Sequence, residues 1–191
     1  DHAAAKEICH RYLQSVFPDR FEQLTSEVET PSGRLLSPWT YTSSELFQLE
    51  RDELFHCNWM LIGHVSDFLQ PGDYRTLDVC GERAIVIRDV TGELRAFHNV
   101  CRHRGSRLVS SNEGNCGRAI VCPFHGWTYE LDGRLKNVPR VDKFASLDRS
   151  QEGLLPIDLE IWQGFVFVRF RGHGPSVSDH LTPILKQVSP Y

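Results

Sequence analysis

The sequence predicts a mainly β protein, an antiparallel β-structure preceded by N-terminal helices and followed by a short helix. Three observations carry this. From Trp59 to Phe170, short runs rich in Val, Ile, Phe and Tyr alternate with turn residues. Asp132-Gly133, between WTYEL and RLKNV, is the strongest hairpin signal in the chain. Before Trp59 the pattern is helical, with an Ala-rich start.

The elements follow in order. Residues 2–17 read as a helix, because Ile8, Tyr12, Leu13 and Val16 share one face and Pro18 ends the run. Residues 18–42, with several prolines and serines, read as an extended linker. Ser43 or Ser44 caps a second helix over 45–57 that leads into Trp59. WMLIGHV, YRTLDVC and RAIVIRD are strands, and Thr91-Gly92 closes a hairpin into ELRAFHNV. A Gly/Asn-rich turn is expected at 112–117, then a strand RAIVC. LPIDLEIW and FVFVRF are joined through Gln163-Gly164, and FVFVRF, apolar on both faces at first, suits a central strand. Segment 137–152 reads as loop with a helical turn, and 178–188 as a short helix with Pro183 placed early. Three regions result: a helical and linker region at 1–58, a β domain at 59–172 and an exit segment at 173–191.

At 191 residues with 40% hydrophobic and 24% charged content, one ordinary globular core is expected with chain to spare. No run of 18 or more apolar residues occurs and no secretory signal pattern opens the chain, so neither a membrane nor a nucleic acid is expected as a partner. Six cysteines could form a disulfide framework in a small secreted protein. Here Cys9, Cys57, Cys80 and Cys116 show no pairing pattern and read as thiols in a reducing cytoplasm, with Cys116 the one to watch for reactivity.

Two short motifs carry the chemistry: Cys101-Arg102-His103 and Cys122-Pro123-Phe124-His125, with eighteen residues between His103 and Cys122. Each offers one thiolate and one imidazole, a mixed-softness donor set suited to iron–sulfur chemistry. Two histidines replacing two cysteines on one iron of a [2Fe–2S] cluster define the Rieske centre. Zinc is the alternative, since Cys₂His₂ is a common structural site. Zinc knuckles usually space the first pair more widely than Cys101-x-His103, and Pro123 and Gly126 have no role in one.

The stretches AFHNVCRHRGSRLV (96–109) and VCPFHGWTYELDGRL (121–135) resemble the Rieske domain of ring-hydroxylating oxygenase large (α) subunits. They are still more similar to relatives that oxidise quaternary ammonium compounds such as glycine betaine or choline. The resemblance implies a Rieske-type antiparallel β-sandwich at 59–172, with Cys101, His103, Cys122 and His125 as ligands of a [2Fe–2S] cluster. Arg104, Gly105, Gly126 and Trp127 would surround it: the glycines through tight turns with N–H groups aimed at sulfur, the tryptophan as a shield. High-potential relatives add a cysteine in each loop and a serine after the second His-Gly pair. Ser106, Phe124 and Trp127 stand at those positions here, which places the centre near the low end of the Rieske range, roughly −150 mV. Between Cys101 and Arg140 seven Lys and Arg face three acidic residues, +4 in a chain of net −4, and Arg102, Arg104 and Arg107 would favour an acidic redox partner.

A Rieske oxygenase needs a second, mononuclear iron held by two histidines and a carboxylate. Downstream of the cluster loops only His173 and His180 remain, so that Fe(II) is expected in a C-terminal catalytic domain outside this chain. Electrons would come from a flavin or ferredoxin reductase. They would pass to a catalytic domain, in the family often that of a neighbouring subunit in a homotrimer or α₃β₃ assembly, for O₂-dependent hydroxylation or demethylation. The alternative is a stand-alone Rieske ferredoxin, a bare cluster domain without the N-terminal helical region or the exit helix.

Overall fold

The computed structural model describes Gln14, Ser15, Pro18 and residues 28–30, 33–35, 38–144, 147–172 and 174–185. The chain divides into two compact units, Asp1–Leu49 and Glu50–Tyr191. The expected helix at 2–17 lies outside the described residues except for Gln14 and Ser15, which are helical.

In the first unit the stretch expected as plain linker holds an antiparallel pair, β1 (Val28–Thr30) and β2 (Gly33–Leu35), in which Val28 faces Leu35. A 3₁₀ turn follows at Pro38–Tyr41. Helix α1 (Ser44–Glu50) starts where Ser43 Oγ accepts the Leu46 N–H at 3.1 Å. Its continuation, Arg51–Phe55, loosens into a π-helix closed by the bond from His56 N–H to the Arg51 carbonyl at 3.0 Å.

The second unit contains β3 (Met60–His64), β4 (Asp73–Val79), β5 (Glu82–Arg88), β6 (Leu94–His98), β7 (Glu113–Asn115), β8 (Ile120–Val121), β9 (Thr128–Tyr129), β10 (Leu135–Asn137), β11 (Asp158–Trp162) and β12 (Phe165–Arg169). All pairings are antiparallel, in three sheets ordered β6-β5-β4-β7, β11-β12-β3 and β10-β9-β8. The central position of FVFVR in its sheet is as expected, and Val166 and Val168 are fully buried.

β5 organises the rest. Ala84, Ile85, Val86 and Ile87 are all fully buried, so this strand is covered on both faces. The period of two divides them. Ile85 and Ile87 join Tyr74, Phe97, Ile120, Trp127, Tyr129 and both loop cysteines in one core. Ala84 and Val86 join Ile62, Phe68, Val166 and Val168 in the other. Each buried aliphatic side chain contributes about 1.5–3 kcal/mol, and a slip by one residue would exchange the two cores wholesale.

Two expectations change. The turn at 112–117 contains β7, which pairs Asp73 with Asn115 at the sheet edge. Asn115 Nδ2 donates to Asp73 Oδ1 at 2.7 Å, and a side chain at Gly114 would run into Tyr74. At the exit, α2 spans Val177–Leu181, opened by a reciprocal cap between Ser176 and Asp179, and Pro183 falls in the 3₁₀ turn after it (Thr182–Ile184) rather than early in the helix. Pro183 lacks the N–H that a longer helix would need. The exit is tied to the entrance: Trp59 Nε1 donates to the Pro175 carbonyl at 3.0 Å, and Arg169 stacks on Trp59 at 4.4 Å while binding Asp158.

The β5–β6 turn rests on a buried carboxylate. Asp89 Oδ1 accepts from Thr91 N–H at 2.8 Å, Thr91 Oγ1 at 2.6 Å and Glu93 N–H at 3.1 Å, and Oδ2 accepts from Arg95 Nε at 2.9 Å. Burial alone would raise its pKa, but the bonds from Thr91, Arg95 and Glu93 outweigh burial and bring it down to about 2. A carboxylate held below its unfolded value stabilises the fold above that value and ceases to as it protonates. Asp89→Asn is therefore expected to lower stability at neutral pH by roughly 2 kcal/mol. In urea melts taken at several pH values, the gap between the two proteins should close between about pH 4 and pH 2. A gap that stays constant over that range would show that the charge contributes nothing.

Candidate metal centre

The first loop leaves β6 through Asn99, a fully buried amide. Its Oδ1 accepts the N–H groups of Leu108 and Val109 at 3.2 and 3.1 Å, and its Nδ2 donates to the Val109 carbonyl at 2.8 Å. The outgoing and returning chains are thereby stapled, and Val100 bridges Arg107 across the neck. Inside the loop, Cys101 N–H donates to the Ser106 carbonyl at 2.7 Å and Gly105 N–H to the Cys101 carbonyl at 3.0 Å.

The second loop repeats this frame. Cys122 N–H donates to the Trp127 carbonyl at 2.8 Å and Gly126 N–H to the Cys122 carbonyl at 3.0 Å. In both loops the glycine stands four residues after the cysteine, with φ of 67° at Gly105 and 72° at Gly126, the left-handed region where a side chain is strained. The frames are alike, yet the histidine is two residues after Cys101 and three after Cys122. This offset lets two equivalent turns present their imidazoles from different directions. The ring centroids of His103 and His125 lie 4.8 Å apart with planes at 68°.

The expected role of the glycines needs correction. Their N–H groups bind the cysteine carbonyls rather than sulfur. The groups that favour a sulfur anion at Cys101 are the Tyr129 hydroxyl, 3.3 Å from Sγ, and the backbone N–H of His103. The Tyr129 oxygen also accepts the Arg102 N–H at 3.1 Å, and towards a thiolate at Cys101 only the hydroxyl can donate. Nothing in the cysteine–histidine pattern marks Tyr129. The signal was its place two residues after Trp127 on β9, on the strand face that Trp127 shares.

Cys101 and Cys122 are each 2% exposed. Burial pushes the Cys101 thiol up, and the adjacent Cys122 adds to that. Two thiols held together out of water, with a hydroxyl and an amide directed at one of them, make an environment for thiolates compensated by a bound cation. The imidazoles are less covered: His103 is half-buried and His125 exposed. Burial, then His125 and Arg104, push the His103 pKa down, which keeps it in the neutral form that ligates metal. Among the described residues no three His, Cys, Asp or Glu side chains gather as a single ion would require. A two-iron cluster asks only two protein ligands of each iron, so a buried cysteine pair and a less covered imidazole pair suit it better than a zinc tetrahedron.

The other expected residues fall as follows. Trp127, 3% exposed, stacks on His103 at 4.9 Å. Arg104 is exposed. Arg107 is bound to Asp78 at 2.5 and 3.2 Å, and Arg102 reaches Glu152 at 3.9 Å. Ser106 is half-buried and Phe124 is 60% exposed. His56, His64, His98 and His180 lie outside the centre, and His2, His10 and His173 are outside the described residues.

The family described as the Rieske [2Fe-2S] domain matches residues 58–151. A carnitine monooxygenase oxygenase subunit of Acinetobacter pittii (strain PHEA-2) is 37% identical over 149 residues, 78% of this chain and 40% of the relative. A glycine betaine monooxygenase oxygenase subunit of Pseudomonas aeruginosa (strain UCBPP-PA14) is 37% identical over 151 residues, 79% of this chain and 35% of the relative. A crystal structure of the quaternary ammonium Rieske monooxygenase CntA in complex with L-carnitine superposes with a TM-score of 0.73 at 36% identity, covering 79% of this chain and 43% of that one. The chain thus spans about two fifths of the length of these relatives.

Of the remaining cysteines, Cys57, Cys80 and Cys116 are free and half-buried, and Cys9 lies outside the described residues. Burial pushes Cys116, the thiol singled out to watch, up to about 11, which suits a structural thiol rather than a reactive one. At pH 8 its thiolate fraction falls to about one in a thousand, against about one in four for an ordinary thiol. Iodoacetamide labelling followed by peptide mass spectrometry should find Cys116 roughly a hundredfold slower than a free exposed thiol, and labelling at a free-thiol rate would contradict its burial.

Proposed function

Because residues 58–151 belong to the Rieske [2Fe-2S] domain family, we propose that this chain is the electron-transfer part of a Rieske non-haem iron oxygenase subunit. Cys101 and Cys122 would hold one iron of the cluster, and His103 and His125 the other. The observation that carries the assignment is the pair of matching turns, each presenting one buried cysteine and one outward histidine. When bound, a Rieske cluster supplies one-electron chemistry at a potential set by its ligands, the hydrogen bonds to its sulfurs and its exposure.

The residues of the chain divide that task. Cys101 and Cys122 keep sulfur out of water, and Trp127 covers His103. The Tyr129 hydroxyl, 3.3 Å from Cys101 Sγ, would donate a hydrogen bond to a cluster-bound thiolate, while its oxygen accepts the Arg102 N–H. The exposed His125 edge offers the short route to a partner. The low-potential reading rests on Ser106 and Phe124, neither of which can form the extra disulfide, and on Trp127 where high-potential relatives carry serine.

The proposal extends to partners. A reductase would supply electrons one at a time, and a catalytic domain carrying the mononuclear iron would receive them, across a subunit boundary in a trimeric assembly. Support comes from the relatives, which are oxygenase subunits, and from a solved relative whose description includes inter-subunit electron transfer. The same relatives favour an oxygenase subunit over a free-standing ferredoxin. Both quaternary-amine monooxygenase subunits and a benzene 1,2-dioxygenase α subunit of Pseudomonas putida match at 37% identity, so the cluster loops serve both classes. Among the described residues no helix is long and apolar enough to cross a membrane, and a cytoplasmic location is proposed with the reducing environment that free thiols need.

Purified under anaerobic conditions, the chain should contain two irons and two acid-labile sulfides and give the EPR signal of a [2Fe–2S] centre once reduced. His125→Ala or Cys122→Ser should abolish that signal. A colourless protein with one zinc would overturn the assignment. Tyr129→Phe should retain the cluster but lower its midpoint potential by about 50 mV, the worth of roughly 1 kcal/mol of hydrogen bonding that strengthens as the centre gains negative charge. An unchanged potential would show that the Tyr129 proton does not serve the sulfur.

A further inference from the structure

Resting on the reading of His103 as a ligand, we propose that Trp127 and Phe144 are positioning residues that fix the plane of the His103 ring. The need arises from torsional chemistry. The Cα–Cβ bond of histidine has defined staggered wells, but rotation about Cβ–Cγ is broad and roughly two-fold, so the side chain does not set its own ring plane. The direction of the lone pair on nitrogen follows that plane.

Three rings surround His103. Trp127 lies parallel to it, with 3° between planes and 4.9 Å between centroids. Phe144 meets both rings edge-on, 5.8 Å from each at 80°. His125 closes a further side at 68°. Parallel-offset and edge-to-face contacts are the arrangements aromatic quadrupoles favour. Trp127 is itself immobilised, because its carbonyl accepts the Cys122 N–H at 2.8 Å and its ring is 3% exposed. The bond that shapes the second loop therefore sets the wall against which the first loop's imidazole rests. His125 has no such enclosure: its aromatic neighbour Phe124, tilted 34° at 3.8 Å, is 60% exposed. The two imidazoles are consequently held to different degrees, His103 by three rings and His125 by one exposed ring and His103 itself.

The test is pulsed EPR of the reduced, cluster-loaded chain, which resolves nitrogen couplings from the two imidazoles. Trp127→Leu should leave iron and sulfide content intact while alternative His103 orientations gain roughly fivefold in population, the weight of one aromatic pair. One nitrogen coupling should then broaden or split while the other stays sharp. Trp127→Phe should restore the sharp coupling, and Phe124→Leu should leave the His103 coupling unchanged. If Trp127→Leu loses the cluster, Phe144→Leu decides, and broadening of one coupling is again the expected result. Couplings that match the wild type in the variant that decides would overturn the role. A wild-type spectrum without two imidazole nitrogens would overturn the ligand reading, and this inference with it.

Discussion

The centre depends on one backbone bond made twice, from each loop cysteine's N–H to the carbonyl five residues on. This bond turns the chain back on itself so that sulfur points inward and the intervening residues face out. A glycine at the fourth residue after the cysteine is what allows the turn to close, because that position needs the left-handed conformation. Removing the frame from either loop would separate its cysteine from its histidine, and no side-chain contact could replace it. The equality of the two frames also explains why unequal spacings, one residue in Cys101-x-His103 and two in Cys122-x-x-His125, serve a single site.

The frames would be useless without a common floor, and β5 supplies it. Ile85 and Ile87 lie in one core with Cys101, Cys122, Trp127 and Tyr129, so the loops are seated on the same buried strand that holds the opposite sheet. The segment into β9 then braces one loop against the other: Trp127, just before the strand, reaches His103, and Tyr129 on it reaches Cys101. Both candidate ligands of the first loop, Cys101 and His103, thus lean on residues of the second. Ligand geometry is a tertiary property here, and a disturbance in either loop should be felt at both.

Much of this was legible in the sequence, for identifiable reasons. The four cysteine and histidine residues stand in a local pattern, and local patterns survive without knowledge of the fold. β5 and β12 announced themselves through runs of β-branched residues, and Asp132-Gly133 through turn chemistry. What was not legible depends on contacts across the chain. Tyr129 gains its role only because a buried hydroxyl meets a sulfur 28 residues away in sequence. Phe144 sits in a segment that reads as loop, and its ring is partly buried only because the segment folds over the core. β7 was hidden because Gly114 and Asn115 have low strand propensity, and its pairing rests on Tyr74 and Asp73 instead. Asn99 offered the one local hint that went unused, a polar residue between the apolar end of β6 and Val100.

Charge around the centre looks different once partners are assigned. The seven basic residues from Cys101 to Arg140 suggested a broad positive surface. Arg107 is bound to Asp78, Arg134 to Asp132, Lys136 to Glu130, and Arg102 approaches Glu152. Among the described residues Arg104, Arg118 and Arg140 have no such carboxylate, and all three are exposed. A close pair of opposite charges leaves only a weak dipolar field, while an unpaired charge acts on a partner that comes within the Debye length, about 8 Å at physiological salt. Steering by this face therefore reduces from a cluster of seven to three arginines contributed by separate segments. Exposed charges of this kind would serve to orient an acidic partner more than to bind it tightly, since peripheral charges affect encounter rate more than residence. The proposed electron-transfer role would need that balance, because a partner that docks quickly but leaves slowly would limit turnover.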